Sequence, residues 1–182
     1  MNRLIIITGG LANGKSTLAT SLADYFHADL YIKDLIKEAL VDQEGFSNRE
    51  ENLALSYKAV NYMIEQTKNS LSSYHDVICE ANFRHEQILQ LIEIAKRSNA
   101  KIDVLLITCD IEISYQRFLK RVPFRHKAHL SMGLDQDFAA FKAYNAMILG
   151  QIDGIPHIEI DSTNLDPEAL KERVINLLEE RL

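Results

Sequence analysis

Unbroken apolar runs at Leu4-Ile5-Ile6-Ile7 and, nearly so, along Lys101 to Thr108 suit strands covered on both faces, as in a parallel sheet. Shorter strand-like stretches lie at Ala28 to Ile32, Asp76 to Glu80 and His157 to Asp161, the last with alternating character. Between them the pattern turns helical: Ser16 to Ala23, Leu35 to Val41, a long stretch to about Lys68, about His85 to Arg97, a helix ending near Arg121, Asp135 to Leu149, and a closing helix to the C-terminus. No repeat, low-complexity tract or Pro/Gly/Ser-rich linker interrupts the alternation. It predicts an α/β fold with a mostly parallel sheet in a single domain over residues 1–182.

Local signals set the helix ends. Ser47-Asn48-Arg49-Glu50 matches a capping box opening the long helix, with Leu53, Tyr57, Val60, Met63 and Ile64 on its core side. Asp110 suits a cap for the helix that Pro123 stops, and Asp166-Pro167 is an N-cap followed by proline at the first helical position. In the helix from Asp135, the residues Phe138, Phe141, Asn145 and Ile148 fall in register.

Composition narrows the class. With 182 residues and 47% apolar content, the chain can bury one substantial core. Its net charge of −6 speaks against a surface built to bind nucleic acid by counterion release, though not against a local basic groove. Cys79 and Cys109 lie in apolar runs without metal or redox spacing and read as reduced core residues; His27, His75, His85 and His157 show no pairing of the kind a metal needs. The first apolar run is too short for a signal peptide or a membrane span, so a soluble, cytoplasmic protein is expected.

The chemistry is concentrated where that first run ends. Gly9-Gly10-Leu11-Ala12-Asn13-Gly14-Lys15-Ser16 reads G-x-x-x-x-G-K-S between a strand and a helix. Successive backbone N–H groups in such a loop wrap an anion, and the helix adds its positive N-terminal end. Gly9 and Gly14 permit the backbone this requires, Lys15 is placed to reach β- and γ-phosphates, and Ser16 to coordinate Mg²⁺. The donor site is therefore expected over Gly10, Leu11, Ala12, Asn13, Gly14, Lys15, Ser16 and Thr17, with ATP and Mg²⁺ as its occupants.

Two carboxylates share the sheet edge where ligands bind in parallel α/β folds: Asp34, after the second strand, and Glu80, at the end of the third. Asp34 equally suits a plain N-cap. Asp110 is mainly a cap and secondarily a magnesium-sphere acid, the better metal candidate being Glu80 together with Ser16. From Ile113 to Leu134 there is no acid, while Arg117, Lys120, Arg121, Arg125 and Lys127 all occur. A lid over phosphates at about residues 117–134 and a solvated basic helix end both fit that asymmetry.

With the phosphate loop, Ile32-Lys33-Asp34-Leu35-Ile36-Lys37, Ile78-Cys79-Glu80-Ala81-Asn82 and the basic segment in place, most of the chain resembles the AAA_33-type P-loop kinases. That group includes the kinase domain of phage polynucleotide kinase, zeta toxins and chloramphenicol phosphotransferase. The resemblance implies a five-stranded parallel sheet in order 2-3-1-4-5, Asp34 acting on an acceptor hydroxyl, and lid arginines, here Arg121 and Arg125, on the donor phosphates. Arg125-His126-Lys127-Ala128-His129 looks like a degenerate R-H-P-G-H lid sequence lacking its Pro and Gly; Lys37 stands where Arg is usual, and Glu80-Ala81 replaces a more typical Asp-Thr.

The functional expectation is Mg²⁺-assisted transfer of a phosphoryl group from ATP to a hydroxyl of a small-molecule acceptor, with Lys15, Asp34, Arg121 and Arg125 as the catalytic set. A polynucleotide 5′-hydroxyl kinase and a regulatory ATPase or nucleotide switch are the alternatives. No membrane partner is expected, nucleic acid is the less favoured acceptor, and the oligomeric state cannot be read from the chain.

Overall fold

A computed structural model describes residues 2–181. Five strands, β1 (Arg3–Gly9), β2 (Asp29–Ile32), β3 (Val77–Glu80), β4 (Lys101–Thr108) and β5 (Ile158–Asp161), form one all-parallel sheet in the order β2-β3-β1-β4-β5. This is the expected 2-3-1-4-5 arrangement. The helices are α1 (Lys15–Phe26), α2 (Lys33–Glu44), α3 (Arg49–Ser72), α4 (His85–Arg97), α5 (Ile111–Arg121), α6 (Phe138–Leu149) and α7 (Pro167–Glu179).

The apolar run of β1 is continuous because its alternate residues feed two cores. Leu4 and Ile6 pack with Val77, Cys79, Val104 and residues of α3 and α4; Ile5 and Ile7 pack with Ile78, Leu105, Ile107 and residues of α1 and α7. All four β1 side chains are at most 2% exposed, and at roughly 1.5–3 kcal/mol for each such side chain buried they anchor the sheet. The carboxyl ends of β1, β2 and β3 thereby open on one edge, with the phosphate loop, α2 and Glu80 side by side.

The helix boundaries correct several expectations. Asp34 is not an N-cap: α2 begins one residue before it, Ile32 is the cap, and Asp34 lies in the first helical turn, where the helix dipole favours an acid. The capping box is displaced by one residue. Asn48 accepts the Glu51 N–H at 2.9 Å, and Glu51 accepts the Ser47 N–H at 2.6 Å. On α3, Val60, Met63 and Ile64 are buried as expected, but Leu53 and Tyr57 are 47% and 41% exposed; Asn52, Leu55 and Ala59 take the inner face instead. Cys79 is buried, whereas Cys109 follows β4 and is only half-buried; neither is in a disulfide. Asp110 and Asp166 cap α5 and α7 as read. Among the described residues no helix is long and apolar enough to cross a membrane, and no cluster of His, Cys, Asp and Glu could hold a metal unaided.

Candidate active site

The loop between β1 and α1 has the backbone that its glycines allow. Gly9 has φ +138°, and a Cβ there would lie 2.1 Å from the Ile107 carbonyl oxygen, so only glycine lets β1 and β4 meet at this point. Gly14 (φ +86°) turns the chain into α1, and Ala12 takes the left-handed region as well, at φ +57°. Lys15 Nζ folds back to donate to the Gly10 carbonyl at 2.6 Å and stands 4.0 Å from Glu80 Oε1. Ser16 Oγ donates to Glu80 Oε2 at 2.9 Å.

Burial dominates the electrostatics here. It lowers the pKa of Lys15 against the attraction of Glu80 and Asp34, and it raises that of Glu80 against the attraction of Lys15. A desolvated ammonium and a desolvated carboxylate, each only partly compensated by the other, suit a site whose remaining partners are phosphate oxygens and a cation. The oxygen donors of Ser16 and Glu80 are the type that Mg²⁺ prefers.

Residues Leu11 through Thr17, Asp34 and Glu80 line one cleft of about 600 Å³, within the range of small-molecule sites. Asp34 carries a half-exposed carboxylate, 3.0 Å from Lys33 Nζ. Burial works against its charge, but Lys33, His129 and Lys15 outweigh that and hold it below the usual carboxylate range. Lys120, Arg121 and Arg125 reach the same cleft from α5 and the turn after it. Arg125 lies over the Phe118 ring, 5.2 Å from its centroid. A second, smaller cleft of about 240 Å³ opens beyond Gly14 and Thr17, between Arg117, Arg121, Ser162, Leu165, Pro167 and Leu170.

Asp34, Glu80, Lys15, Ser16, Arg121 and Arg125 all line this one cleft. Gly10 does not itself line the cleft, and the Leu11 N–H is engaged by Asn145 Oδ1 at 2.7 Å. Asp110 caps α5, accepting the N–H groups of Glu112 and Ile113, and is not among the cleft residues. Lys127 turns away to Asp42, 3.2 Å distant, so the basic run does not act as one patch.

Of the remaining cleft residues, Glu38 carried no sequence signal, whereas His126 and His129 belong to the segment read as a lid. Glu38, His126 and His129 form part of the wall, with His129 Nε2 2.7 Å from Glu38 Oε1 and His126 Nε2 3.2 Å from Asp42 Oδ1. Lys37 is buried and donates to Asn52 Oδ1 at 2.8 Å, while Asn52 Nδ2 donates to the Ala128 carbonyl at 3.0 Å. That lysine braces the wall from behind.

No family model and no curated protein sequence matches the chain. Solved structures do. A presumed kinase from Chloroflexus aurantiacus j-10-fl is 25% identical with a TM-score of 0.78, covering 96% of this chain and 97% of its own. The APS kinase of Mycobacterium tuberculosis, solved with AMPPNP and APS, is 16% identical with a TM-score of 0.66 over 98% of each chain. A gluconokinase from Sinorhizobium meliloti 1021 is 14% identical with a TM-score of 0.62, over 97% of this chain and 92% of its own. The chain has the three-layer architecture of the small P-loop kinases.

Proposed function

We propose that this protein transfers the γ-phosphoryl group of ATP, with Mg²⁺, to a hydroxyl of a small-molecule acceptor. The observation that carries the reading is the convergence of Lys15, the Ser16–Glu80 pair and Asp34 on one cleft at the carboxyl edge of a parallel sheet. The kinase neighbours support it, and so does the loop's match to a phosphate cradle.

Phosphoryl transfer needs alignment and neutralisation of spreading charge more than covalent help from the protein. Backbone N–H groups of the loop bind donor phosphates, and Lys15 exchanges its bond to the Gly10 carbonyl for phosphate oxygens. Ser16 and Glu80 are the groups that would hold Mg²⁺, Glu80 by organising its water shell, and the ion would supply neutralisation of the donor's phosphate charge. Asp34, ionised at neutral pH, orients the acceptor hydroxyl and accepts its proton. Arg121 and Arg125 close on the phosphates and exclude water. The smaller cleft beside Leu165 and Leu170, with Arg117 and Arg121 at its wall, has the apolar and cationic surfaces that suit the nucleotide base.

An extended polyanion finds less support. Lys127 and His126 are turned to Asp42, and Glu38 and Asp34 give the acceptor half an acidic wall. The test is a labelled-ATP transfer screen over sugars, nucleosides, amino-alcohol antibiotics and 5′-hydroxyl oligonucleotides, with Lys15→Ala as control. A labelled small-molecule product from the wild type and none from the control is the expected result. Equal signal from both discards the site; a product only with oligonucleotides overturns the acceptor class.

A further inference from the structure

Two buried asparagines brace the phosphate loop: Asn13 within the loop itself, and Asn145, which lines neither cleft. Asn145, on α6, is 3% exposed. Its Oδ1 accepts the Leu11 N–H at 2.7 Å, and its Nδ2 donates to the Phe141 carbonyl one turn back at 2.9 Å. The second bond fixes which end of the amide faces the loop. A Cβ on Gly10 would lie 2.6 Å from Asn145 Oδ1 and 2.9 Å from Asn13 Nδ2. The bare Gly10 is therefore demanded by these amides packing against it. Its φ is not in the left-handed region, so backbone freedom is not the reason.

Asn13, also 3% exposed, completes the bracket. Its Nδ2 donates to the Ile107 carbonyl at 3.0 Å, its Oδ1 accepts from Ser114 Oγ at 2.5 Å, and its own carbonyl accepts from Ser162 Oγ at 3.1 Å. Leu11 and Ala12 pack meanwhile into the apolar cluster of Phe118, Leu134 and Phe141. The loop is thus tied to β4, α5, α6 and the segment after β5. The tie at Leu11 reaches the point where the chain enters Ala12, whose φ of +57° is uncommon for a residue with a side chain.

We infer that Asn145 is a positioning residue for the donor loop: by holding the Leu11 peptide and covering Gly10, it fixes the backbone that presents the following N–H groups to donor phosphate. It touches neither cleft, so it acts through the loop and not on the nucleotide. The inference rests on reading the loop as the seat of ATP phosphates. An N–H cradle tolerates little displacement, since a misplacement of about 1 Å can cost on the order of 10²-fold in rate.

The test uses Asn145→Ser. A serine is too short to reach Leu11, but its hydroxyl can bond the Phe141 carbonyl as Thr20 bonds Ser16 and Thr67 bonds Met63 in this protein, so the helix keeps its buried polar group satisfied. Calorimetric titration with Mg·ATP is expected to show affinity weakened about tenfold or more, with the nucleotide-free melting temperature little changed and the Leu11 amide exchanging faster. Gly10→Ala is expected to weaken ATP binding strongly in the wild type and less in the Asn145→Ser background, because one of its two close contacts is gone. Wild-type affinity in Asn145→Ser, or strictly additive effects with Gly10→Ala, overturns the inference while leaving the kinase reading intact. Absence of ATP binding by the wild type, or binding undiminished in Lys15→Ala, removes the premise and overturns both. Should Asn145→Ser fail to fold, Leu11 amide exchange in the wild type decides: a protected amide without nucleotide supports the bond, and rapid exchange refutes it.

Discussion

At the scale of single residues, Asp34 and Lys37 sit one turn apart on α2 and have opposite fates. Asp34 faces the cleft as a carboxylate. Asp34→Asn keeps its shape and removes its basicity, so transfer is expected to fall by roughly 10²–10⁴-fold while ATP affinity, measured by calorimetry, stays nearly unchanged. Unaltered turnover would show that the residue is not the base. Lys37 is lowered from 10.5 to about 8 by burial, aided by Lys33 and opposed by Asp34. Between those two values the unfolded chain holds a proton that the folded chain has released, so this group makes stability rise with pH across that window and contributes no slope below it. Cys79, raised by burial to about 12, acts in the opposite sense above its ordinary value. The comparison is therefore between wild type and Lys37→Met: urea midpoints from about pH 7.5 to 10 should climb more steeply in the wild type, and parallel curves would refute the assignment.

Lys15, Ser16, Asp34 and Glu80 were legible because each is fixed by a local rule: a contiguous loop motif, or an acid at a strand's carboxyl end. Asn145 was visible only as a member of an apolar helix face. Its partner is Leu11, 134 positions away, and no local pattern encodes that pairing. Glu38 was hidden in the same way, since its histidine partner lies 91 positions along the chain.

At the scale of elements, α2 presents Asp34, Glu38 and Asp42 at successive i, i+4 positions, so the three carboxylates form a stripe. The segment after α5 lies along it. His129 meets Glu38, His126 and Lys127 meet Asp42, and the fully buried Ala128 packs with Val41 and Leu55. The segment read from the sequence as a lid is thus docked on α2. Solvent screens exposed pairs of this kind, so each adds little to global stability, and Glu38→Gln with Asp42→Asn is expected to speed trypsin cleavage after Arg125 and Lys127 by about fivefold or more without lowering the melting temperature much. Unchanged cleavage would mean that Ala128 and the Asn52 bond hold the segment alone.

Element ends were read well where one cap was available, as at α5 and α7. They slipped at α3, where Ser47 with Glu50 and Asn48 with Glu51 offer overlapping boxes. The buried face of α3 was misjudged for a physical reason. A polar Asn52 is inside because Lys37 and the Ala128 carbonyl satisfy it, and an aromatic Tyr57 is outside, under the Arg84 guanidinium.

For the whole molecule, alternation of strand and helix identified the layers, and the resemblance supplied the strand order. What the sequence left unread was how distant helices brace the phosphate loop and the cleft wall. Global unfolding has a built-in reporter: Cys79 is buried with its thiol pKa raised, while Cys109 is partly exposed. A thiol reagent near pH 8 should modify one cysteine in the native protein and both in denaturant. Rapid native reaction of both would contradict the packing of β3 against α3.

The register of the sheet has a consequence for how this chain can change. Ile7 stands opposite Glu80, and Glu80 shares a sheet face with Ile78, which packs in the α1 layer where Ser16 lies. Side-chain direction along a strand has a parity. A single-residue insertion or deletion inside β3 would send the acid into the α3 layer, with the sheet between it and Ser16. No sliding of the strand repairs such a change, because the same shift would carry Ile78 and Cys79 into the wrong layers. Length variation is therefore confined to the connections, and the acid's distance from the preceding core residues is as constrained as the spacing of the phosphate loop itself.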